Sequence, residues 1–118
     1  MIEIKEIKTK EDFEEFKNAE GTINCLKFNA SWCGPCRVLE GTLKGLDKEK
    51  VEGVLFAELD VDNEELEDIV AESRIRNIPI MVFYQGGLER TRLVGNVPAA
   101  EIYNTIEKVR DGVDNSTN

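Results

Sequence analysis

The chain of 118 residues carries 24 acidic and 15 basic side chains, for a net charge of −9, and the basic residues are interleaved with acids throughout. This distribution forms no dense basic patch, which argues against direct binding to nucleic acid. Hydrophobic residues make up 41% of the chain, and no apolar run approaches the roughly 20 residues that cross a bilayer. The composition therefore predicts one soluble domain with no membrane partner.

The first part of the chain alternates between strand and helix patterns. Residues 2–7 alternate apolar and charged side chains, which predicts a strand, lacks the apolar core of a secretory signal and favours a cytoplasmic location. Residues 10–19 predict a helix that begins at a capping box formed by Thr9 and Asp12. A second strand at 22–29 leads to two cysteines, after which apolar residues recur at helical spacing. The cysteine pair is therefore expected to open the second helix.

The alternation continues and then ends in a hairpin. Residues 54–60 are mostly apolar, which indicates the middle strand of a sheet covered on both faces. Residues 63–73 predict a third helix and residues 80–84 the next strand, which a glycine turn joins to an antiparallel strand at 88–94. Pro98 suits the first turn of a last helix.

These elements predict an α/β fold with a central mixed sheet of four or five strands and helices on both faces. We expect one domain over residues 1–110. Residues 111–118 are polar and follow the last apolar stripe, so we expect them to form a flexible C-terminal tail.

Cys33 and Cys36 enclose Gly34 and Pro35 at the start of the second predicted helix. Free backbone N–H groups and the positive end of the helix dipole favour a thiolate at Cys33, so we expect a lowered pKa and a nucleophilic role. Cys36, one turn later, would resolve the mixed disulfide formed at Cys33. Such a cycle reduces a partner's disulfide and leaves the pair oxidised, so an electron donor must reset it. Pro35 stiffens the turn at a position where its missing N–H costs little.

Zinc binding is the main alternative use of paired cysteines. The chain has three cysteines and no histidine. A four-ligand site would therefore need Cys25 and a carboxylate beside the pair, and a second pair is missing. We expect neither a metal nor a bound cofactor. Cys25 is interpreted as a small buried hydrophobic residue.

The run Trp32-Cys33-Gly34-Pro35-Cys36 resembles the active site of the thioredoxin family. The resemblance covers roughly residues 2–110 and includes further matching segments: Phe28-x-Ala30, Leu59–Asp62, Ile75–Pro79, Phe83 and Val94-Gly95. It implies a thioredoxin-like fold and a monomeric protein-disulfide reductase. It also implies disulfide-containing client proteins as substrates and a thioredoxin reductase-type protein as electron donor.

The resemblance further implies a substrate surface beside the cysteines. Pro79 matches a cis-proline that lies against the pair, and the backbone of the residue before it, Ile78, would pair with the bound substrate. The residues implied to contact substrate are Trp32, Gly34, Pro35, Val61, Ile78, Pro79, Gly95 and Asn96.

Two charged positions depart from the family pattern. The buried aspartate that usually precedes the first cysteine by six residues is Lys27 here, and the lysine usually beside it is Glu58. We hypothesise a charge-swapped pair in which Lys27 favours the Cys36 thiolate, making the protein more oxidising, while Glu58 transfers protons as part of the catalytic set. The alternative interpretation has Lys27 reaching solvent and Glu58 pointing outward.

Two other functions stay open from the sequence. Lys27 makes a disulfide isomerase or oxidase plausible, whereas Gly34 and Pro35 between the cysteines favour a reductant. A non-catalytic binding module on the same scaffold is the third possibility, although the presence of both cysteines counts against it.

Overall fold

The computed structural model describes residues 1–112. Residues 1–112 form five strands and four α-helices that alternate up to β4, which β5 follows directly, and a short 3₁₀ turn precedes the third helix. In chain order the elements are β1 (Ile4–Ile7), α1 (Lys10–Asn18), β2 (Ile23–Asn29), α2 (Gly34–Lys44), β3 (Val54–Asp60), α3 (Glu67–Glu72), β4 (Ile80–Gln85), β5 (Leu88–Val94) and α4 (Ala99–Arg110). Apart from Asp111 and Gly112, the predicted tail at 111–118 lies outside the described residues.

The strands form one mixed sheet in the order β1-β3-β2-β4-β5. Strands β1, β3 and β2 run parallel, whereas β4 is antiparallel to β2 and β5 is antiparallel to β4. The predicted mixed sheet with helices on both faces is confirmed. The expectation that residues 54–60 form the middle strand is wrong, because β2 is the middle strand and β3 lies between β1 and β2. An apolar run indicates a strand with neighbours on both sides and helices over both faces. This description fits β3 as well as β2, so the run alone does not identify the middle strand.

The alternation of side chains along β2 divides the interior into two cores. Leu26 and Phe28 pack with residues of α1 and α3 on one face of the sheet, whereas Cys25 packs with residues of α2 and α4 on the other. Because side chains on a strand alternate between faces, Lys27 shares the face of Cys25. This register places a lysine beneath helix α2.

Local sequence explains where the helices begin. The capping box predicted at Thr9 and Asp12 is present. The segment predicted as a helix at 63–73 is a 3₁₀ turn at Glu64–Leu66 followed by the short helix α3. Pro98 is the N-cap of α4 and stands just outside the helix. Within residues 1–112, no helix has the length and apolar content that a membrane span requires.

Candidate active site

The two cysteines lie at the start of α2, just after the loop that connects it to β2, at the carboxyl ends of the parallel strands. Cys33 is the N-cap residue of α2, and Cys36 lies in its first turn. Their Cα atoms are 5.3 Å apart, and a disulfide joins the two side chains. Both residues are buried. The helix start therefore holds the pair at the spacing that reversible disulfide formation needs.

The start of α2 is electrostatically suited to a thiolate at Cys33. The backbone N–H of Cys36 donates a hydrogen bond to the Cys33 sulfur at 3.2 Å. Pro35 occupies the first helical turn, where its missing N–H leaves no donor unpaired. When the disulfide is reduced, this N–H and the positive end of the helix dipole stabilise negative charge on the Cys33 sulfur.

The third cysteine, Cys25, takes no part in the disulfide. Cys25 is a free thiol buried in the core between the sheet and α2, as expected. Burial raises the pKa of its thiol, which keeps it protonated and unreactive. Over residues 1–112, no three cysteine or carboxylate side chains converge as ligands for a metal ion.

Two partly buried apolar side chains lie against the cysteine pair. Val61 and Ile78 pack against the cluster formed by Ala30 and the two cysteines. The peptide bond between Ile78 and Pro79 is cis, as the resemblance implied. The N–H of Gly95 donates to the Pro79 carbonyl at 2.9 Å, and its φ of +86° is a conformation that glycine adopts without strain. Two predicted contact residues, Val61 and Ile78, thus pack against the cysteines.

Trp32 directly precedes Cys33 in the chain and is 67% exposed. Its indole N–H donates to Asp62 Oδ2 at 2.8 Å, which fixes the direction of the ring. Sequence reasoning did not select Asp62 as a site residue. Asp62 follows β3 by two residues, and the carboxyl ends of the parallel strands β2 and β3 lie at the same edge of the sheet. This position could have indicated that Asp62 lies near the cysteine pair.

The remaining predicted contact residues lie beside the cysteines or beside Gly95 in the chain. Gly34 is half-buried, whereas Pro35 and Asn96 are exposed. Asn96 directly follows Gly95, the residue hydrogen-bonded to Pro79. Their roles in substrate binding stay predictions.

Lys27 and Glu58 form the ion pair that the charge-swap hypothesis requires. The Lys27 side chain is only 1% exposed, and its Nζ lies 3.4 Å from Glu58 Oε2. The same Nζ donates to the carbonyl oxygen of Cys36 at 3.4 Å. Lys27 therefore does not reach solvent, and the alternative interpretation of this residue is wrong. The lysine charge instead lies next to the backbone of Cys36.

Glu58 is the less fully hydrogen-bonded partner of this pair. Its Oε2 is buried without an aligned hydrogen-bond donor, although the Lys27 ammonium is within ion-pair distance. Burial raises the pKa of the Glu58 carboxyl, the Lys27 charge opposes this shift, and the nearby Glu40 carboxylate adds to it. Glu40 was not selected from the sequence. Its position four residues after Cys36 places it on the same side of α2 and was the available signal.

Comparisons with known proteins agree with this geometry. A family model described as Thioredoxin matches residues 4–108. Thioredoxin-2 of Saccharomyces cerevisiae is 30% identical over 97 residues, which are 82% of this chain and 90% of that protein. Thioredoxin of Coprinus comatus is 35% identical over 101 residues, covering 85% and 91%. The X-ray structure of Fasciola hepatica thioredoxin gives a TM-score of 0.77 at 29% identity, covering 89% of this chain and 98% of that one.

Proposed function

Since the chain belongs to the thioredoxin family and is a thiol-disulfide oxidoreductase, we propose that it reduces the disulfides of client proteins by a Cys33–Cys36 cycle. The observation that carries this proposal is the cysteine pair at the N-terminus of α2, with Cys33 as N-cap residue and a backbone N–H directed at its sulfur.

The cycle begins with the reduced pair. The Cys33 thiolate attacks one sulfur of a client disulfide, forms a mixed disulfide, and releases the other client sulfur, which takes up a proton. Cys36 then loses its proton and attacks the Cys33 sulfur. The Cys33–Cys36 disulfide forms and the second client thiol leaves, so the client gains two electrons and two protons. A donor that supplies two electrons must then reduce the pair again.

The apolar surface beside the disulfide is proposed to hold the client segment. Val61 and Ile78 pack against the cysteine cluster, and Trp32 stands exposed beside it. A client strand that pairs with the backbone of Ile78 would bring its disulfide to the Cys33 sulfur. Gly95 supports this arrangement through its hydrogen bond to Pro79.

The buried Lys27 is proposed to affect the reduction potential of the cysteine pair. A cation beneath Cys36 favours the thiolate, which stabilises the reduced form and raises the reduction potential. The chain would then be a weaker reductant than a relative with an aspartate at position 27. This observation keeps a disulfide isomerase or oxidase as the second candidate, which a measured reduction potential separates from a reductant.

A reductant of client disulfides needs continuous re-reduction, so we place the protein in a reducing compartment, the cytoplasm, with a thioredoxin reductase-type donor. We further propose that it acts as a monomer, because one chain supplies both cysteines, the ion pair beneath them and the surface beside them.

The proposal is tested by measuring whether the protein accelerates the reduction of insulin by dithiothreitol. The wild-type protein is expected to accelerate insulin precipitation, whereas Cys33→Ser and Cys36→Ser return the rate to that of dithiothreitol alone. Cys25→Ser is the matched control and keeps full activity, because this thiol is buried away from the disulfide. A wild-type protein without catalysis would contradict the proposal, and unchanged client binding after loss of both cysteines would indicate a binding module.

A further inference from the structure

Arg92 on β5 connects the hairpin to the end of helix α3. Its Nε donates to Glu89 Oε2 at 2.6 Å, and its Nη2 donates to Glu89 Oε1 at 2.9 Å. Nη2 also donates to the carbonyl oxygen of Ser73 at 2.7 Å, and Nη1 donates to that of Arg74 at 3.4 Å. One guanidinium makes these contacts together because its N–H groups form a planar, fixed fork. A single side chain thus ties β5 to the loop that follows α3.

A β-bulge in β5 allows this arrangement. Glu89 and Arg92 are three positions apart, so their side chains would point to opposite faces of a regular strand. The register between β4 and β5 shifts at Phe83 and Tyr84, and Arg90 is the extra residue on β5. The bulge therefore puts Glu89 and Arg92 on the same face of the sheet, the face that α3 covers.

The end of α3 has a chemical need for such a contact. This short helix carries no basic residue in its last turn. Carbonyl groups at a helix C-terminus lack partners within the helix and carry a negative partial charge, which Arg92 offsets from another strand. Arg74, directly after the C-cap Ser73, has a φ of +56°, a conformation that costs an arginine free energy. Holding this turn in place fixes the direction in which the chain continues.

Strand β5 also holds the other end of the same loop. The N–H of Gly95 donates to the Pro79 carbonyl at 2.9 Å. Between the two attachments lies Ile78, which packs against the cysteines. Residues 73–79 are therefore fastened to β5 at both ends, with the residue proposed to pair with the client between them.

We propose that Arg92 is a positioning residue for client binding: its contacts at the end of α3 hold residues 73–79 so that the Ile78 backbone meets a client strand beside Cys33. This inference rests on the proposed function, because it concerns how the same surface receives the client. Loss of Arg92 would let the loop shift and weaken pairing with a peptide. A small disulfide that has no peptide backbone would still reach the Cys33 thiolate.

The experiment measures the rate at which reduced Cys33 forms a mixed disulfide in Cys36→Ser protein, which retains the product. Samples are quenched with acid and quantified by mass spectrometry. Two substrates are compared: an uncharged disulfide peptide, and hydroxyethyl disulfide, which cannot pair with Ile78. We expect Arg92→Met to slow the reaction with the peptide by about tenfold, within the roughly 100-fold that a displacement of about 1 Å can cost. The rate with hydroxyethyl disulfide should stay unchanged.

Two further variants separate positioning from a general loss of stability. Arg110→Met removes another hydrogen bond from a guanidinium to a backbone carbonyl, that of Glu52 at 2.6 Å. This contact lies before the start of β3, at the opposite edge of the sheet from the cysteines, so both rates should stay unchanged. Arg92→Lys keeps the charge but lacks the planar fork, so its rate with the peptide should fall between those of the Cys36→Ser parent and Arg92→Met.

A peptide rate that is unchanged in Arg92→Met, or that falls by the same factor as the rate with hydroxyethyl disulfide, would overturn the inference. An equal fall of the peptide rate in Arg110→Met would overturn it as well. If urea unfolding shows that Arg92→Met does not fold, Arg92→Lys decides by the same criteria. These failures would leave the reaction of the Cys36→Ser parent with the peptide intact. A parent that does not react with the peptide would instead overturn the proposed function, and the inference with it.

Discussion

Replacing Lys27 with methionine removes the buried charge but keeps most of the side-chain volume. Lys27 Nζ lies 3.4 Å from the Cys36 carbonyl oxygen. For a Coulomb estimate, the ammonium and the Cys36 sulfur are taken to be about 7 Å apart. With an effective dielectric constant of about 20, a cation at that distance stabilises the thiolate by about 2.4 kcal/mol. For a two-electron couple this corresponds to about 50 mV.

The sign and the pH dependence follow from the protonation of Cys36. Lys27→Met destabilises only the reduced form with a Cys36 thiolate, so its potential should lie below that of the wild type. The gap is expected to be small at acidic pH, where Cys36 is protonated, and to grow with pH while staying below about 50 mV, because an ionised Glu58 offsets part of the Lys27 charge. Equilibration with dithiothreitol from pH 6 to 9, followed by alkylation of free thiols, measures this gap.

Two controls accompany this measurement. Lys108→Met removes a charge from the exposed face of α4 and should leave the potential unchanged. Urea unfolding of oxidised Lys27→Met at pH 8 should show a loss of up to about 3 kcal/mol, because the variant leaves the Glu58 carboxylate without its cation, and a smaller loss at pH 5, where Glu58 takes up a proton. A gap below about 10 mV at every pH, or a higher potential in Lys27→Met, would refute the electrostatic role of Lys27.

Three further predictions concern the same region. Because burial raises the pKa of Glu58, the wild-type protein should lose stability as the pH rises from 4.5, the carboxyl's ordinary value, through its higher folded value; urea unfolding of Glu58→Gln at pH 4 and 8 should lack this loss. Asp62→Ala releases the indole of Trp32 and should raise KM for insulin more than it lowers kcat, whereas Asp62→Asn keeps an acceptor and should change KM less. Gly95→Ala meets open space but must adopt a φ of +86°, so thermal unfolding should show a loss of about 1–2 kcal/mol without a clash at Pro79.

Local pattern was sufficient to predict the position of the cysteine pair. The apolar residues after Cys36 recur with the helical period, and Pro35 suits a first helical turn. Residues next to one another in the chain therefore predict where the strand ends and the helix begins. The same holds for the capping box at Thr9. The cis bond before Pro79 was expected from the family resemblance alone, because the residues around a proline only weakly determine its isomer.

Contacts between segments that are distant in the chain could not be predicted from local sequence patterns. The hydrogen bond between Trp32 and Asp62 joins residues 30 positions apart and depends on how β2 and β3 end together. The effect of Glu40 on the pKa of Glu58 depends on the packing of α2 against β3, which no local sequence period encodes. The order of the strands is likewise a property of the whole sheet, so the apolar pattern of residues 54–60 could not place β3 beside the middle strand.

The most direct test of the account is to trap the covalent intermediate. Reduced Cys36→Ser protein is incubated with an oxidised disulfide peptide, and mass spectrometry locates the bound peptide. We predict a stable mixed disulfide at Cys33 in this variant, and no adduct in Cys33→Ser under the same conditions. An adduct at Cys36 in Cys33→Ser with equal yield, or an adduct at Cys25, would contradict the assignment of Cys33 as the nucleophile.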